Sequence, residues 1–559
     1  MIKLRLLLGQ WLAKLTRKLR NNFYLYLAAL LTLFVLLDAS VFHVGENMRD
    51  KAFDLMVKHR IVTPIADKDI IIVDINEASL AAMSADYGRW PWPRQVLGEF
   101  LENIEVQQPQ AVIFDILFSD PDIYNPDSDT YFNDTISATN NTYFPYLRLP
   151  ESQDNLSKIT PQLLPNISEQ TLGSGKKNAT FAVVLPHFKA ALESKRLGTH
   201  NITPDKDGVV REYQLYSVSQ GWLIPSLPKT IAQTLNYPLP KSQSVLINWR
   251  GDPFTYHYVT FSDVFNDMTS KNKTRPQDEF KNKIVIIGAT AASLGDIKAT
   301  TMAAQYPGVE ILATAIDNVK HNDYLKVWRG STPYILLSLL LVWLTALAFY
   351  KNVDRDRLNG IFSFSQIGLL TLSYLAINFT DSYLDLTSPI LWAVGYFSIA
   401  KIYALATDRA LQRWLSFGLA SGDTSTRSLM MIMLIESQEP LGYVTLKKVA
   451  RQAELFSKTP NSIEILKGTQ SGIWGLFGDM LVFTWSFAED NPAFGENARL
   501  DASHIIESFP AILVSIGLPK DTPIRCSQHE VNISNDHKLD NQWRSLFAQT
   551  VLKLEHDEI

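Results

Sequence analysis

The sequence predicts an α/β domain on one side of a membrane, four membrane-spanning helices, and a small α+β domain at the C-terminal end. One of the helices precedes the α/β domain and three follow it. The chain is long and apolar, with 559 residues, 46% of them hydrophobic and 19% charged. It contains apolar segments that are long enough to cross a bilayer. Between the first and second of these segments, short β-branched runs alternate with helix-length intervals, which is typical of an α/β sheet.

Residues 1–22 form a basic N-terminus, and the first apolar segment follows at 23–42. The lysines and arginines ahead of it predict an uncleaved anchor whose N-terminus stays in the cytoplasm. A cleaved signal peptide is the alternative, but the apolar stretch is longer than a usual signal core and no clear small-x-small cleavage site follows it. Three further apolar segments lie at 334–350, 361–379 and 388–406.

The charges between the apolar segments predict their orientation. Basic residues lie between the second and third segments, and acidic residues between the third and fourth: Lys351, Arg355, Arg357, and Asp381, Asp385. Because basic loops stay in the cytoplasm, both termini are predicted to be cytoplasmic and residues 44–332 to lie outside, which in a bacterium is the periplasm. A small transporter would also fit four spans. The segments contain no Pro- or Gly-broken pair and no buried charge cluster, so an anchoring and signal-carrying bundle is favoured.

The sheet of the outer domain is predicted to centre on a βαβ unit at 70–118, with the apolar runs IIIVDI and AVIFDILF as its strands. We expect Ile70 to Asp74 and Ala111 to Ile116 to be neighbouring parallel strands joined by a crossover helix. Open α/β sheets bind ligands at the carboxyl ends of their strands. The acidic residues at or just beyond these ends are therefore candidate ligand-binding residues: Asp74, Glu77, Asp115 and Asp120.

The interval between the two strands contains the segment GRWPWPR at 88–94. Two tryptophans interleaved with prolines and flanked by arginines can form a rigid aromatic wall for an apolar or anionic ligand. Trp90, Trp92 and Arg94 are therefore further candidates for ligand binding. The alternative, which we favour, is that the prolines shape the chain ahead of a helix while the indoles fill core space.

From 122 to 180 the chain is rich in Asn, Ser, Thr, Asp and Pro, which predicts a surface insertion or a long irregular loop. Strand-like runs then recur at TFAVVL, SVLINW and KIVIIGAT. After the last run, Gly288 and Gly295 are predicted turn positions, because the Gly-Lys-Ser/Thr ending of a phosphate loop is missing. The segment DKDG at 205–208 lacks the glutamate that closes a calcium loop, so we expect a structural turn in which Arg211 pairs with an acid.

The C-terminal part divides into a predicted linker at 407–428 and a predicted cytoplasmic domain at 429–559. In that domain, a strand-like run LMMIMLIES precedes a helix at 444–456, two strands at 472–487 and a helix around 498–512. The linker begins as an extension of the fourth apolar segment and then meets SGDTST, which predicts that the helix ends there. With Cys526 as the single cysteine, no intrachain disulfide can form.

Motifs across the outer domain resemble the second class of the CHASE domain, an extracellular sensory module of bacterial membrane receptors. They are DINEASL at 74–80, GRWPWPR at 88–94, FDILFSD at 114–120, PDKDGVVR at 204–211, NKIVIIGATAASLGD at 282–296 and PGVEILATAI at 307–316. The resemblance covers about 49–328 and implies a sensor of an unidentified periplasmic ligand in a bacterial inner membrane. The first motif departs from the family at Asn76, where an aspartate is usual, which argues against direct metal binding there.

The predicted order of strand, helix, hairpin and helix at the C-terminal end resembles a shortened class III nucleotide cyclase domain. The two carboxylates that hold metal ions in that family would correspond to Glu436 and Asp479, so magnesium or manganese is expected only if this interpretation holds. The chain departs from the family at Gly475, where adenylate-making members have a base-reading lysine. The spacing of Asn541 and Arg544 also departs from the family, which favours a degenerate, non-catalytic domain.

The resemblances imply two functions of different classes. The first is a membrane-bound sensor whose cytoplasmic domain acts by interaction with a signalling protein. The apolar positions Leu411, Trp414 and Leu415, together with the dimeric habit of cyclase-like domains, predict a homodimer that pairs at 409–417 near the membrane. The alternative is an active receptor-type nucleotide cyclase that makes a cyclic nucleotide from a nucleoside triphosphate. The net charge of −5 shows no basic excess, so nucleic acid is not an expected partner.

Overall fold

The computed structural model describes residues 22–42, 44–327, 331–351, 353, 355–415, 426–435, 441, 443–456, 462–466, 480–488, 492–520, 522–533, 546 and 549–550. The chain divides into two compact units. The first unit comprises His43–Tyr334 and Phe364–Ser388, and the second comprises Met1–Phe42, Ile335–Ser363 and Pro389–Ile559.

The described helices are α1 (Phe23–Leu37, continued by a π-helical turn at Asp38–Phe42), α2 (Val44–Lys58), α3 (Glu77–Tyr87), α4 (Arg94–Glu105), α5 (Pro126–Ser137), α6 (Lys189–Glu193), α7 (Leu227–Thr234), α8 (Phe261–Thr269), α9 (Gly308–His321), α10 (Ser331–Tyr350), α11 (Arg355–Phe379), α12 (Thr387–Leu415), α13 (Tyr443–Phe456) and α14 (Pro492–Ser515).

The described strands are β1 (Ile70–Ile75), β2 (Ala111–Phe114), β3 (Thr142–Arg148), β4 (Ser168–Glu169), β5 (Val183–Val184), β6 (Leu197–Thr199), β7 (Glu212–Gln214), β8 (Tyr216–Ser219), β9 (Trp222–Pro225), β10 (Ser244–Leu246), β11 (His257–Thr260), β12 (Ile284–Ala289), β13 (Ile297–Lys298), β14 (Tyr306–Pro307), β15 (Lys326–Val327), β16 (Ser382–Tyr383), β17 (Thr426–Ile435), β18 (Ser462–Leu466), β19 (Met480–Ala488) and β20 (Ile524–Ile533).

The first unit is built around a sheet in the order β11, β1, β12, β2, β3, β5, with β6 also paired to β3. β1 and β2 are parallel members of this sheet, but they are not neighbours as the sequence predicted, because β12 lies between them and pairs with both. The residues of β12 from Ile284 to Gly288 are all buried. A strand that is apolar on both faces is stable in the centre of a parallel sheet that is covered on both sides.

The period-two alternation of the central strands divides the core between the two faces of the sheet. One face contributes Ile72, Ile113 and Ile286 to a core that α2, α7 and α9 cover. The other face contributes Val73 and Phe114, together with other strand residues, to a core that α4, α5 and α8 cover. The crossover between β1 and β2 consists of two helices, α3 and α4, rather than one.

The polar region 122–180 is more ordered than the sequence predicted. It contains α5 and then β3, which pairs in parallel with β2 and whose first five residues are buried. The expectation of one long irregular loop was therefore wrong for this part. The region is polar on average, but it also contains aromatic side chains, such as Phe132 and Phe144, that are fully buried in the core around β2.

Gly288 and Gly295 have different roles from each other. Gly295 has a φ of +73°, so it occupies a left-handed turn as predicted. Gly288 lies inside β12 rather than in a turn, which corrects that prediction. A Cβ added at Gly288 would lie 2.5 Å from Cγ2 of Val309, so glycine there lets the start of α9 approach the sheet closely.

The described residues include four helices long and apolar enough to span a membrane, at Phe23–Phe42, Thr332–Tyr350, Asp356–Phe379 and Thr387–Leu405. The apolar segments predicted from the sequence fall in these four places. In the second unit, residues of α1, α10, the first turns of α11, and α12 share one buried apolar cluster that includes Leu31, Ala346 and Tyr396. α12 continues as a helix to Leu415, beyond the apolar stretch.

The C-terminal part of the second unit is an antiparallel sheet in the order β18, β19, β17, β20. α13 and α14 pack on one of its faces, through residues such as Val449 and Ile505 against Met431 and Phe483. On the side of β19 that faces away from β17, the pairing strand is β18, at Ser462–Leu466. The sequence predicted a strand before β19 at 472–477, which lies outside the described residues. The element order β-α-β-β-α-β is that of ferredoxin-like domains.

Candidate functional site

The carboxyl ends of β1, β12 and β2 lie side by side at one edge of the central sheet. Asp74, near the end of β1, is 5% exposed. Its carboxylate accepts hydrogen bonds from the backbone N–H of Thr290 at 3.0 Å and from the Thr290 hydroxyl at 2.8 Å. Burial raises the pKa of Asp74, and the bonds from Thr290 oppose that rise. Asp74 therefore fastens the loop that follows β12.

Glu77 fastens the same loop from the first turn of α3. Its Oε1 accepts a hydrogen bond from the backbone N–H of Ser293 at 3.0 Å. The loop continues to Asp296, whose carbonyl oxygen accepts the N–H of Gly308 at the start of α9. A Cβ at Gly308 would collide with the Asp296 carboxylate, so glycine is needed for this approach. The predicted acids Asp74 and Glu77 thus position a third acid that the sequence analysis did not select.

The remaining predicted acid on this side, Asp115, directly follows β2 and forms a cluster with His200 and Asp296, which we call the rim cluster. The side chain of Asp115 is 7% exposed, and its Oδ1 lies 3.3 Å from Nδ1 of His200. Burial by itself lowers the pKa of His200, but the hydrogen bond and charge of Asp115 and the charge of Asp296 outweigh it, so the pKa is raised. Burial, and then the charge of Asp115, raise the pKa of Asp296.

The rim cluster combines two carboxyl groups with an imidazole, and the pKa values of the imidazole and of the Asp296 carboxyl are both raised. The side chain of His200 remains 28% exposed, so the cluster is open to a solute. Such a set can hydrogen-bond a polar ligand and exchange a proton with it. Asp296 also lies beside the N-terminus of the 14-residue helix α9, where the helix dipole favours negative charge.

The predicted aromatic residues lie on the other side of the sheet. Trp92 is 1% exposed and packs against the rings of Phe261 and Trp90, at centroid distances of 5.2 and 4.9 Å. Trp92 is therefore a core side chain, in agreement with the alternative that we favoured. Arg94 lies over the Phe118 ring at 5.1 Å, and burial lowers its pKa.

Asp120 is exposed, and its carboxylate accepts a hydrogen bond from the adjacent Ser119 hydroxyl. The structure therefore brings Asp74, Glu77 and Asp115 to one edge of the sheet and places Trp90, Trp92 and Arg94 in or beside the opposite core. His200, Thr290 and Asp296 are the site residues that sequence reasoning missed. His200 follows the three-residue strand β6, which is too short to give a periodic signal. Thr290 and Asp296 lie in the motif NKIVIIGATAASLGD at 282–296, which supports the family resemblance but by itself assigns no role to either residue.

The predicted metal ligands Glu436 and Asp479 lie outside the described residues, as do Gly475, Asn541 and Arg544. Among the described residues, Asp67, Asp317 and His321 are close enough together to hold a metal ion. Cationic side chains already satisfy these acids, because Nζ of Lys320 lies 2.7 Å from Asp67 and Arg250 lies 2.6 Å from Asp317. We therefore interpret this group as a buried charge network.

A second region connects the part of the first unit built on the central sheet, which we call the sheet domain, to the C-terminal half of α11 and the loop after it, all within the first unit. We call it the junction, and it consists of residues 59–62, 326–327 and 374–385. β15 pairs in parallel with β16, and the N–H of Lys326 donates to the carbonyl oxygen of Asp381 at 2.6 Å. Oδ1 of Asn378 accepts the N–H groups of Ile61 and Val62, at 2.7 and 3.3 Å. The loop between the third and fourth apolar helices is thus hydrogen-bonded to the sheet domain.

Asp385 is the most strongly perturbed acid of the junction. It is 6% exposed, and its Oδ1 has no hydrogen-bond partner in the part of the chain that the structure describes. The groups around it are Arg49 and Asp50 of α2, Tyr334 of α10 and Tyr383 of β16. Burial raises the pKa of Asp385 from its ordinary 3.8 to about 6, although Arg49 opposes the rise.

We expect Asp385→Asn to stabilise the protein more at neutral than at acidic pH. Because the folded state disfavours the ionised carboxylate, the contribution of Asp385 to stability is greatest below its ordinary pKa and is lost as the pH rises through about 6. The penalty that the amide removes is on the order of 3 kcal/mol at neutral pH. Thermal unfolding of the purified parent and variant at about pH 5 and about pH 7.5 measures the difference in stability at each pH. The exposed Asp120→Asn serves as the control, and an equal effect of Asp385→Asn at both pH values would contradict the raised pKa.

A family model for the CHASE2 domain matches residues 27–349, which is more than half of the 559-residue chain. The match begins inside the first candidate span and ends inside the second, so it extends beyond the range that the motifs predicted. No curated protein and no solved structure matches the chain. The chain therefore belongs to the CHASE2 domain family, which consists of sensor domains of membrane receptors.

Proposed function

We propose that this chain is a multi-pass receptor of a bacterial inner membrane that binds a polar ligand at the rim cluster and transmits the binding through the junction to its cytoplasmic C-terminal domain. The pairing of β15 with β16 is the observation that carries the proposal. A ligand can act across a membrane only by favouring one arrangement of the helices over another. A sheet domain hydrogen-bonded to the loop between two membrane helices has a direct means of doing so.

The orientation rests on the charges of the short loops. Lys351 and its basic neighbours between α10 and α11 favour a cytoplasmic position, and the acidic loop at 380–386 favours the periplasm. Both termini are then cytoplasmic, and residues 44–332 are periplasmic. The long sheet domain and the junction lie on the same side in this arrangement.

The orientation can be tested by labelling single cysteines with a membrane-impermeant thiol reagent. Cys526 itself is a poor reporter, because burial raises its pKa to about 12 and suppresses the reactive thiolate. We therefore suggest a Cys526→Ser background that carries either Leu172→Cys or Leu500→Cys, at positions that are both strongly exposed. We expect Cys at 172 to react in cells with a permeabilised outer membrane and Cys at 500 to react only after lysis. The reverse pattern would overturn the orientation.

The ligand site can be tested by a thermal-shift screen of polar metabolites on the purified full chain. A ligand that binds only the folded state raises its stability by mass action, by about 2.7 kcal/mol at a hundredfold excess over Kd. We expect Asp115→Asn to remove the shift, because it loses the carboxylate beside His200. Asp120→Asn, at an exposed acid later in the same loop, should keep the shift. Compounds that stabilise both variants equally would place the ligand elsewhere.

We further propose that the C-terminal domain acts by protein interaction and that the receptor is a homodimer paired at 409–417. Two observations support this: the continuation of α12 to Leu415 and the β-α-β-β-α-β order of the described elements in the C-terminal domain. Cysteine scanning across 409–417 in the Cys526→Ser background should give crosslinks at a helical period of about 3.6 residues. A uniform absence of crosslinks, with a monomer in mild detergent, would contradict the dimer.

The same sheet order also suits a nucleotide cyclase, so enzymatic activity is the second candidate. Incubating the purified chain with ATP or GTP and Mn²⁺ distinguishes a non-catalytic interaction domain from an active cyclase. We expect no cyclic nucleotide, because the base-reading lysine of the family is replaced by Gly475. Formation of a cyclic nucleotide that is lost in Asp479→Asn would instead establish the cyclase.

A further inference from the structure

The helix α2 carries an apolar stripe that is exposed in the part of the chain that the structure describes. Val44, Met48 and Leu55 are 52%, 44% and 63% exposed, and their spacing places them on one face of the helix. Lys51 and Lys58 are exposed on the same side. The opposite face, with Phe53, Met56 and Val57, is buried in the core of the sheet domain. α2 therefore has one face buried in the protein and one exposed apolar face edged by lysines.

α2 is attached at three points along its length to the ends of candidate membrane helices, and these ends all lie on the same side of the membrane. At its start, Val44 follows closely after Phe42, the last residue of the first candidate span. At its middle, the ring of Phe53 packs on Tyr383 at 5.1 Å, and the Tyr383 hydroxyl donates to the carbonyl of Arg49 at 3.4 Å. Tyr383 belongs to the short loop between the third and fourth spans, which must lie at the membrane surface.

The end of α2 is attached to the third span itself. The hydroxyl of Ser373 lies 3.6 Å from the sulfur of Met56, and the hydroxyl of Tyr374 donates to the carbonyl of His59 at 2.5 Å. Both Ser373 and Tyr374 lie within the last two turns of α11, which ends at Phe379. The 15 residues of α2 extend about 22 Å. Attached to one membrane surface at its start, middle and end, the helix must run along that surface.

The apolar surface continues beyond α2. Ile61, Val62 and Ile65 are 74%, 47% and 84% exposed. The backbone N–H groups of Ile61 and Val62 are bound to Asn378, in the last turn of the third span. Hydrogen bonding to that turn places their side chains at the depth of the lipid headgroups and the outer ends of the acyl chains.

We propose that the exposed face of α2 and residues 61–65 form an interfacial segment that binds the bilayer. Val44, Met48, Leu55, Ile61 and Ile65 enter the boundary between headgroups and acyl chains, and Lys51 and Lys58 extend to lipid phosphates. An apolar face flanked by lysines on a helix of low overall hydrophobicity is the usual composition of such segments. The proposal rests on the four helices spanning a membrane and holds whichever side the sheet domain occupies.

The lipid surface is the occupant that the attachments favour, and a second copy of this chain is the competing one. The same face could pack against its counterpart in a dimer only by leaving the surface on which the three attachments place it. The experiment therefore needs a readout for lipid contact and another for contact between copies.

The test uses the full chain in a Cys526→Ser background with single cysteines at Met48→Cys or Leu55→Cys, each carrying an environment-sensitive fluorophore. The protein is reconstituted in nanodiscs of phosphatidylethanolamine and phosphatidylglycerol, with or without lipids that bear a quencher on the acyl chain. The matched control is Leu172→Cys, at a fully exposed leucine of the same unit. We expect lipid quenching of about two-fold or more at 48 and 55 and none at 172.

Fluorescence at 48 and 55 that is no more quenched than at 172 would overturn the proposal. Crosslinking of two copies through Cys at 48 or 55, without lipid quenching, would also overturn it and assign the face to a dimer. The three labelled positions are exposed, so their substitutions should leave the fold of the Cys526→Ser parent unchanged. Thermal unfolding of the labelled protein checks this directly.

Discussion

Arg250→Met should lower the free energy of unfolding of the sheet domain by about 3–5 kcal/mol. The side chain of Arg250 is 1% exposed, and its guanidinium donates to both carboxylate oxygens of Asp317, at 2.6 and 3.0 Å. It also donates to Asp323 at 2.8 Å. Removing the cation leaves the fully buried Asp317 carboxylate without its principal partner. Urea or thermal unfolding of the purified chain, followed by tryptophan fluorescence, measures the change.

Two further variants make this result specific to the buried charge. Lys189→Met removes a cation of the same unit that is 81% exposed and pairs with Glu193 at 3.4 Å, so it should change stability by less than about 1 kcal/mol. Arg250→Met combined with Asp317→Leu should be less destabilised than the sum of the single variants, because no unpaired charge remains. Strict additivity would show that the ion pair is not the source of the effect.

Arg211→Met should destabilise the same domain by about 2–4 kcal/mol and loosen α2 in particular. Arg211 is 3% exposed and binds three carboxylates: Asp54 of α2 at 2.7 Å, Asp205 at 2.9 Å and Asp207 at 2.7 Å. The two acids of the turn are half-exposed, so water replaces part of the lost interaction. Asp54 is held to the turn through this guanidinium, and the Thr301 hydroxyl adds one bond at 3.0 Å.

Hydrogen exchange resolves the local part of this effect. We expect amides of residues 44–58 to exchange faster in Arg211→Met, because the cation that ties the helix to the 205–208 turn is missing. Lys206→Met is the matched control in the same turn, since Lys206 is 89% exposed and reaches Glu46 only at 3.9 Å. If exchange in α2 were as slow in Arg211→Met as in Lys206→Met, the ion cluster would not be what holds the helix.

The sequence predicted part of one of these two ion-pair clusters and none of the other. The sequence predicted that Arg211 pairs with one acid of the DKDG turn, and the structure adds a second acid of that turn and Asp54, which is far away in sequence. Nothing in the sequence marks Arg250, because its partners Asp317 and Asp323 lie on and after a distant helix. Long-range ion pairs have no local signature, since they depend on which elements the fold brings together.

The sequence by itself determined the features that depend on neighbouring residues. The apolar runs at 70–75, 111–114 and 284–289 form buried strands, and the long apolar segments form the candidate membrane helices. It also identified Asp74 and Asp115 as acids at strand ends, because the end of a strand is a local property. The family resemblance followed from motifs of the same local kind.

Only the tertiary structure decided the features that depend on distant contacts. It inserted β12 between β1 and β2, because a strand apolar on both faces is most stable in the centre of the sheet. His200 and Asp296 lie beside Asp115 in the rim cluster, whereas Trp92 lies in the core on the opposite face of the sheet. The tertiary structure also paired the two-residue strands β15 and β16, which are too short to show any period in the sequence and meet only because the fold brings them together.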